Sequence, residues 1–434
     1  MSRSATSEAT PGKGIRCLWI ARYIPFPMEG GAQVYSANLS QSLAQAGAVV
    51  RFMGLGSTEA VPDSAAGVEW LAVPGGKRNR AVAALSRLPI AAAIDATAAY
   101  RRMLESQLKE PWDAILLDGY GTGWALDRCL AYCAARGMHR SILVHVSHNH
   151  EEMLWLAMGR EARGSALKRL ALRRNATKVA SLERRIVGAV DLLTTITDED
   201  RNTLGAAVPN GRAISITPGY RGPSVNARRI DAATPRRVII TGSFQWVVKQ
   251  ANLTRFLEIA DPICEEQGIE LDIVGDVPRA FLAALKGRCR ATHFHGFVSD
   301  IAPHLARARM GIVPEPIGGG FKLKFLDYIF GRVPVATVSQ AVAGLPEELR
   351  LAMLHSDSLA GLVSTIVSHI DRIDELNRMQ ERAFALGKAQ FDWNIRGERF
   401  LRAIETIRER AADGFASGDR PQDSRTPRAD VAVG

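Results

Sequence analysis

Ten short apolar runs, broken into two series by one stretch dense in proline, glycine and arginine, constrain this chain more than any other feature. The runs cover residues 15–21, 49–53, 114–118, 141–146 and 191–197, then 237–241, 271–275, 291–295, 310–314 and 333–338. Their hydrophobicity is continuous rather than alternating. That suits strands buried on both faces, hence parallel sheets covered by the amphipathic segments that lie between the runs. The dividing stretch, TPGYRGPSVNARRIDAATPRR, has a linker's composition. A chain of 434 residues also exceeds what one hydrophobic core usually serves. The expected architecture is α/β: two doubly wound, Rossmann-like domains facing a central cleft, with ligands at the carboxyl ends of the strands. The expected boundaries are 15–216 for the first domain, 217–236 for the linker and 237–390 for the second. A helical pattern follows "FDW" with Phe400, Leu401, Ile404 and Ile407 at helical spacing. Residues 391–411 are therefore expected to cross back onto the first domain. Residues 1–14 and 412–434 lack apolar periodicity and read as disordered.

The composition, 47% hydrophobic and 6% aromatic, is that of a globular protein, and a formal net charge of +10 requires a basic face. Such a face meets nucleic acid, an anionic membrane or a phosphorylated small molecule. Nucleic acid is the least supported, because the basic residues are not interleaved with aromatics and no recognition motif is present. Cys17, Cys129, Cys133, Cys264 and Cys289 are odd in number and form no Cys-x-x-Cys pair. Neither a disulfide framework nor a zinc knuckle is expected, and a reducing cytoplasm fits. No apolar run approaches the roughly 20 residues of a membrane span. The opening MSRSATSEATPGKG lacks a signal peptide's apolar stretch, so the expected location is inside the cell.

Five places carry candidate chemistry. Gly30 and Gly31 open a helix pattern that ends at Gly47. Bare N–H groups at a helix start approach an anion, although a plain loop reads the same way, and the dinucleotide fingerprint is absent. The run 141–146 leads into SHNHEEMLW, which puts His148 and His150 at a strand's carboxyl end, where an imidazole does acid, base or hydrogen-bonding work. With His145 and Glu151 they invite a metal, but 145 and 148 point to opposite faces of a strand, and no metal is expected. In the second series, Gly242 precedes a helix carrying Lys249, and HFHGFVSD places Phe297 and Val298 where backbone lies beside a base. The strongest stretch is EPIGGGFKLKFLDY. Gly318, Gly319 and Gly320 end a strand and are expected to open a helix, Lys322 and Lys324 add charge, and Asp327 is placed to accept hydrogen bonds from ribose hydroxyls.

These residues, with their neighbours, resemble the GT-B glycosyltransferases of family 4, especially bacterial exopolysaccharide-type members. The matching run is VPEPIGGGFKLKFLDYIFGRVPV, preceded in order by GGAQVYSANLSQSLAQAG, HNHE, DLLTTITDEDRNTL, TGSFQW and FHGFVSDIAPHLARARMGIVP, and followed by FDW. The resemblance spans about residues 15 to 411. It implies transfer of a sugar from a nucleotide-diphosphate sugar, with retention, without metal or other cofactor. By motif match His148 is the active-site histidine, Gly30 and Gly31 approach the donor diphosphate, Lys249 and Lys322 stabilise the leaving group, and Asp327 holds the ribose. The chain departs from the pattern at Gly319, where the first acid of the paired-glutamate motif stands, at Ser243, where a basic residue is usual, and at Asp327, where Glu is usual.

The acceptor expected is a polysaccharide, lipid-linked or other glycan at the inner face of the membrane. Lys168, Arg169, Arg173 and Arg174, with Arg184 and Arg185 beyond, either attract anionic lipid or form a solvated helix face. Two other activities fit the same pattern. One is a GT-B nucleotide-sugar epimerase. The other is a non-catalytic nucleotide-sugar-binding member of a polysaccharide assembly complex.

Overall fold

The computed structural model describes residues 14–416 apart from 29, 77, 137–139, 161–164 and 319. The segments 1–13 and 417–434, expected to be disordered, lie outside the described residues, as does Gly319.

All ten apolar runs are strands, and they fall into two parallel sheets. The first contains β1 (Arg16–Tyr23), β2 (Val49–Leu55), β3 (Glu69–Val73), β4 (Ala114–Asp118), β5 (Ile142–Val146), β6 (Leu192–Thr195) and β7 (Ala213–Ser215), in the order β3-β2-β1-β4-β5-β6-β7. The second contains β8 (Arg237–Thr241), β9 (Glu270–Val274), β10 (Thr292–Gly296), β11 (Met310–Val313), β12 (Val335–Val338) and β13 (Leu354–Ser356), in the order β10-β9-β8-β11-β12-β13. Strand order reverses between β1 and β4 in the first sheet and between β8 and β11 in the second. Those two switch points are where open α/β sheets leave a crevice.

Three strands had no continuous apolar run: β3, β7 and β13. Each closes an edge of its sheet and is only partly buried. An edge strand has one paired side and one covered face at most, so selection for apolar residues is weaker and the run is short.

The first sheet is buried on both faces, and β1 shows how. Cys17, Trp19 and Ala21 join one core, while Leu18 and Ile20 join the other. Each such side chain contributes about 1.5–3 kcal/mol when fully buried. The core around Trp19 is completed by the helix Trp393–Ala416, which lies outside the second sheet in sequence but packs on the first. Phe400 meets Trp19 edge to face at 6.2 Å, and Ile404 and Ile407 fill the same core. Gly397 is needed for the approach, since a Cβ there would sit 2.0 Å from the Ser42 carbonyl oxygen of the helix Gly31–Gln45. The helix continues to Ala416, past Arg410 where the apolar pattern stops. No regular element lies between Ser215 and Arg237.

Candidate functional site

On the first sheet the site is built at the switch point. Asp118 is the last residue of β4 and is buried, with one oxygen accepting from Trp19 Nε1 at 2.7 Å. Its other oxygen lies 2.5 Å from His148 Nε2. Burial alone would lower the His148 pKa, but the Asp118 charge and hydrogen bond outweigh it and raise the imidazole above its ordinary value. The ring is thus held by Asp118 on one side and by the edge of Tyr35, 5.5 Å between centroids, on the other. Beyond it, Asn149 donates to Glu151 at 3.1 Å, and burial raises the Glu151 pKa. The helix Glu151–Arg160 starts on the Glu183 carboxylate, which accepts from the N–H groups of Glu151 and Glu152 at 2.8 and 2.7 Å.

The three histidines do not converge on one point. His145 is in the core with Nδ1 at 3.0 Å from the Leu117 carbonyl, and burial drops its pKa to about 4. His148 lies two residues past the end of β5, in a bend, where its ring turns to Asp118.

On the second sheet the site lies at the ends of β8 and β11. Glu315 follows β11, is buried, and sits 2.5 Å from Lys324 Nζ. Burial alone would raise the Glu315 pKa, yet Lys324, Lys322 and Lys249 together hold it at about 2. Burial lowers Lys322 to about 8, with Lys324 and Lys249 adding to the effect and Glu315 opposing it. Burial and the Lys324 charge also lower Lys249. Three ammonium groups therefore gather around one buried carboxylate, while the Asp200 charge also acts on Lys322 and the Lys324 charge on Asp327. Gly242 follows β8 against Lys324, and a Cβ there would lie 3.4 Å from Nζ. Gly318 is beside Lys322, whose Nζ donates to the Gly320 carbonyl at 3.1 Å.

The glycines do not open the helix as expected. The helix is Lys324–Phe330, so Gly318, Gly320 and Lys322 precede it, and Asp327 lies in its first turn. Burial raises Asp327 to about 6, against the pull of Lys324 and of the Tyr220 hydroxyl that faces it. The loop's role is to cross the cleft. At Gly320, φ is +69°, and a Cβ would lie 2.5 Å from Asn149 Oδ1 and 3.4 Å from the His148 carbonyl. At Gly31, the first helical residue after Gly30, a Cβ would meet Leu323 at 3.5 Å. The structure thus brings Gly320 to the backbone of His148 and to Asn149, sets Gly31 against Leu323, and gathers Lys249, Lys322 and Lys324 around Glu315, with Gly242 and Gly318 beside them and Asp327 within reach of the Lys324 charge; Gly30 precedes the helix that Gly31 opens.

Phe297 and Val298 lie apart from this cluster. They follow β10 at the sheet edge, where Phe297 is 80% exposed and Val298 packs on the second core. An open groove of about 810 Å³, lined in part by Asp198, Arg350 and Arg399, also lies between the sheets, and neither His148 nor the three lysines line it. Asp118 and Glu315 were missed by sequence reasoning. The only local signal is an acid closing an apolar run, in LLD and VPE.

Residues 30–219 match the model of the glycosyl transferase 4-like domain, and residues 235–371 match that of glycosyl transferases group 1. No curated protein matches the chain. Among solved structures it is similar to Anabaena Alr3699/HepE in complex with UDP and glucose, at 13% identity and a TM-score of 0.57 over 93% of this chain and 100% of that one. It is similar to WaaG, a glycosyltransferase involved in lipopolysaccharide biosynthesis, at 18% identity and a TM-score of 0.58, again over 93% and 100%. A glycosyltransferase from Rickettsia africae ESF-5 gives 11%, a TM-score of 0.59, and 91% and 98%. Identities this low speak for the fold; the two domain models, matched in order on the two sheets, speak for the activity. The chain is a glycosyltransferase of the GT-B fold.

Proposed function

We propose that this glycosyltransferase takes its sugar from a nucleotide-diphosphate sugar held between the two sheets, in the manner of family 4. The observation that carries the reading is the convergence of Lys249, Lys322 and Lys324 on one carboxylate, directly across the Gly320 crossing from His148. Neighbouring structures of the fold contain UDP and UDP-glucose, which supports a ligand of that class.

In this reading the lysines take the charge that builds on the leaving diphosphate. Their fixed positions cost little reorganisation, and their effect grows as the cleft excludes water. They also do what a divalent ion does elsewhere, so the transfer needs no metal. Asp327 accepts from the ribose hydroxyls, and Phe297 and Val298 flank the base. His148, with its pKa raised by Asp118, is a hydrogen-bond donor toward the donor sugar. Asp118 occupies Nε2 of that ring, which leaves Nδ1 for the donor sugar, and the transfer is read as retaining, with the leaving phosphate as the destination of the acceptor's proton. Residues 15–216 then form the acceptor side and 237–390 the donor side.

The acceptor belongs to a glycan made at an anionic membrane face, in the exopolysaccharide manner. Leu167 and Leu170 are 77% and 64% exposed on the helix Ala166–Val187, next to Arg169, Arg173 and Arg174. Arg184 and Arg185 are paired with Glu152 and Asp127, so they add less to that surface. No helix among the described residues is long and apolar enough to cross a membrane.

The test is incubation with radiolabelled nucleotide sugars and membranes. The expected result is transfer to a lipid-extractable or polymeric product. Absence of both transfer and donor hydrolysis across the common donors overturns the reading.

A further inference from the structure

We propose that Asp272, His295 and His304 bind a divalent transition metal of the zinc class, as a structural clamp on the edge strand β10. The donor atoms of these three side chains all lie within 4.8 Å of one another. Asp272, in β9, is 1% exposed, and neither of its oxygens receives a hydrogen bond. A carboxylate buried in this way without hydrogen bonds is costly unless a cation faces it. Two groups approach without bonding well. His295 Nε2 lies 3.0 Å from Oδ1, and Arg237 Nη1 lies 3.4 Å from Oδ2 while its other nitrogens serve Glu270.

The backbone aims His295 at this carboxylate. Phe294 pairs with Ile273 and Gly296 pairs with Val274, so His295 is an extra residue with no partner on β9. Such a bulge re-aims a side chain and recurs next to sites. The His304 ring, on the short helix Ala302–Ala306, meets the His295 ring at 4.6 Å and 60°. Two imidazoles and a carboxylate with one solvent-facing side make the donor set of a four-coordinate site completed by water. Bonds of about 2.0–2.2 Å put tetrahedral ligand atoms about 3.3–3.5 Å apart, so only small rotamer changes separate the present arrangement from coordination.

The clamp would join β9, β10 and the helix Ala302–Ala306, and so hold the loop between β10 and that helix, which carries Phe297 and Val298. The site is independent of the transfer chemistry and stands whether or not the donor reading holds. A second group, His150, Glu152 and Glu183, lies on the first domain, but its carboxylates already serve Arg184 and the helix N–H groups of Glu151 and Glu152.

The experiment uses the full chain, stripped with chelator and carrying no histidine tag, titrated with Zn²⁺ by calorimetry and with Co²⁺ by visible absorption. The expected result is one ion per chain, a four-coordinate Co²⁺ spectrum and slower proteolysis of the loop at Phe297. His304→Gln, at a partly exposed position that leaves the core intact, is expected to weaken binding by more than about tenfold, and His295→Gln likewise. His150→Gln is expected to leave it unchanged. No stoichiometric binding by wild type, or binding that survives both His304→Gln and His295→Gln, overturns the proposal.

Discussion

His148 Nε2 lies 2.5 Å from Asp118 Oδ1, and that contact raises the affinity of the imidazole for a proton against the effect of burial. Replacing Asp118 with Asn keeps the shape and removes the charge. A hydrogen bond to a charged group contributes about 1.5–3 kcal/mol. Asp118→Asn is therefore expected to lower turnover about 10- to 100-fold with donor affinity little changed. Titration of the His148 ring by NMR should show its pKa falling, since the Glu151 charge alone then opposes burial. An unchanged imidazole titration would show that Asp118 does not control it.

Gly320 is one of the points where the two halves touch. Gly320→Ala forces a side chain into φ +69° and into the Asn149 amide. The expected loss of stability is about 1–3 kcal/mol, together with a raised KM for the donor as the loop withdraws. Gly211→Ala is the control, because φ is +63° there and nothing lies within 4 Å. Thermal melts of the two variants separate backbone strain from the lost crossing contact.

Donor affinity should depend on pH from both sides. Asp327 must be ionised to accept from two ribose hydroxyls, and its pKa is raised to about 6, so affinity falls as pH drops through that value. Lys322 must be protonated to meet the diphosphate, and its pKa is lowered to about 8, so affinity also falls as pH rises beyond it. Calorimetry with a nucleoside diphosphate from pH 5 to pH 9 should give a bell. Asp327→Asn should flatten the acidic limb and leave the basic limb in place.

Glu315 is the carboxylate on which Lys324, Lys322 and Lys249 all act, so Glu315→Gln removes the charge they share. Removing one partner of a buried ion pair costs about 3–5 kcal/mol. The variant is expected to melt earlier by that amount, and a nucleoside diphosphate is expected to restore more stability to it than to wild type. Equal stabilisation of both by ligand would separate Glu315 from the anion site.

Much of the scaffold is legible in the chain because strands buried on both faces must be apolar throughout. That is true of the segment Leu18 to Ile20 and of Val238 to Ile240. It is not true of β3, β7 and β13, whose exposed edges relax the requirement. Within the site, His148 and the lysines stand out by residue type and local position. Asp118 does not, because its partners His148 and Trp19 lie far away in sequence and meet it only through strand order. The start of the helix Lys324–Phe330 was misplaced for a similar reason. Glycines next to a helical pattern suggest a cap, but Gly320 is spent on a crossing whose other side, Asn149, lies just past the end of β5 in the first half.

The helix Trp393–Ala416 has a consequence for synthesis. It closes the core around Trp19 and Phe52, yet it is made after both sheets. Seen this way, the second sheet and its helices are an insertion within the first unit. On the ribosome, the first unit emerges with the groove for Phe400 and Ile404 uncovered and waits for the rest of the chain to be translated. The insertion must fold while its host is unfinished, and a helix made after it is the one that locks the first unit.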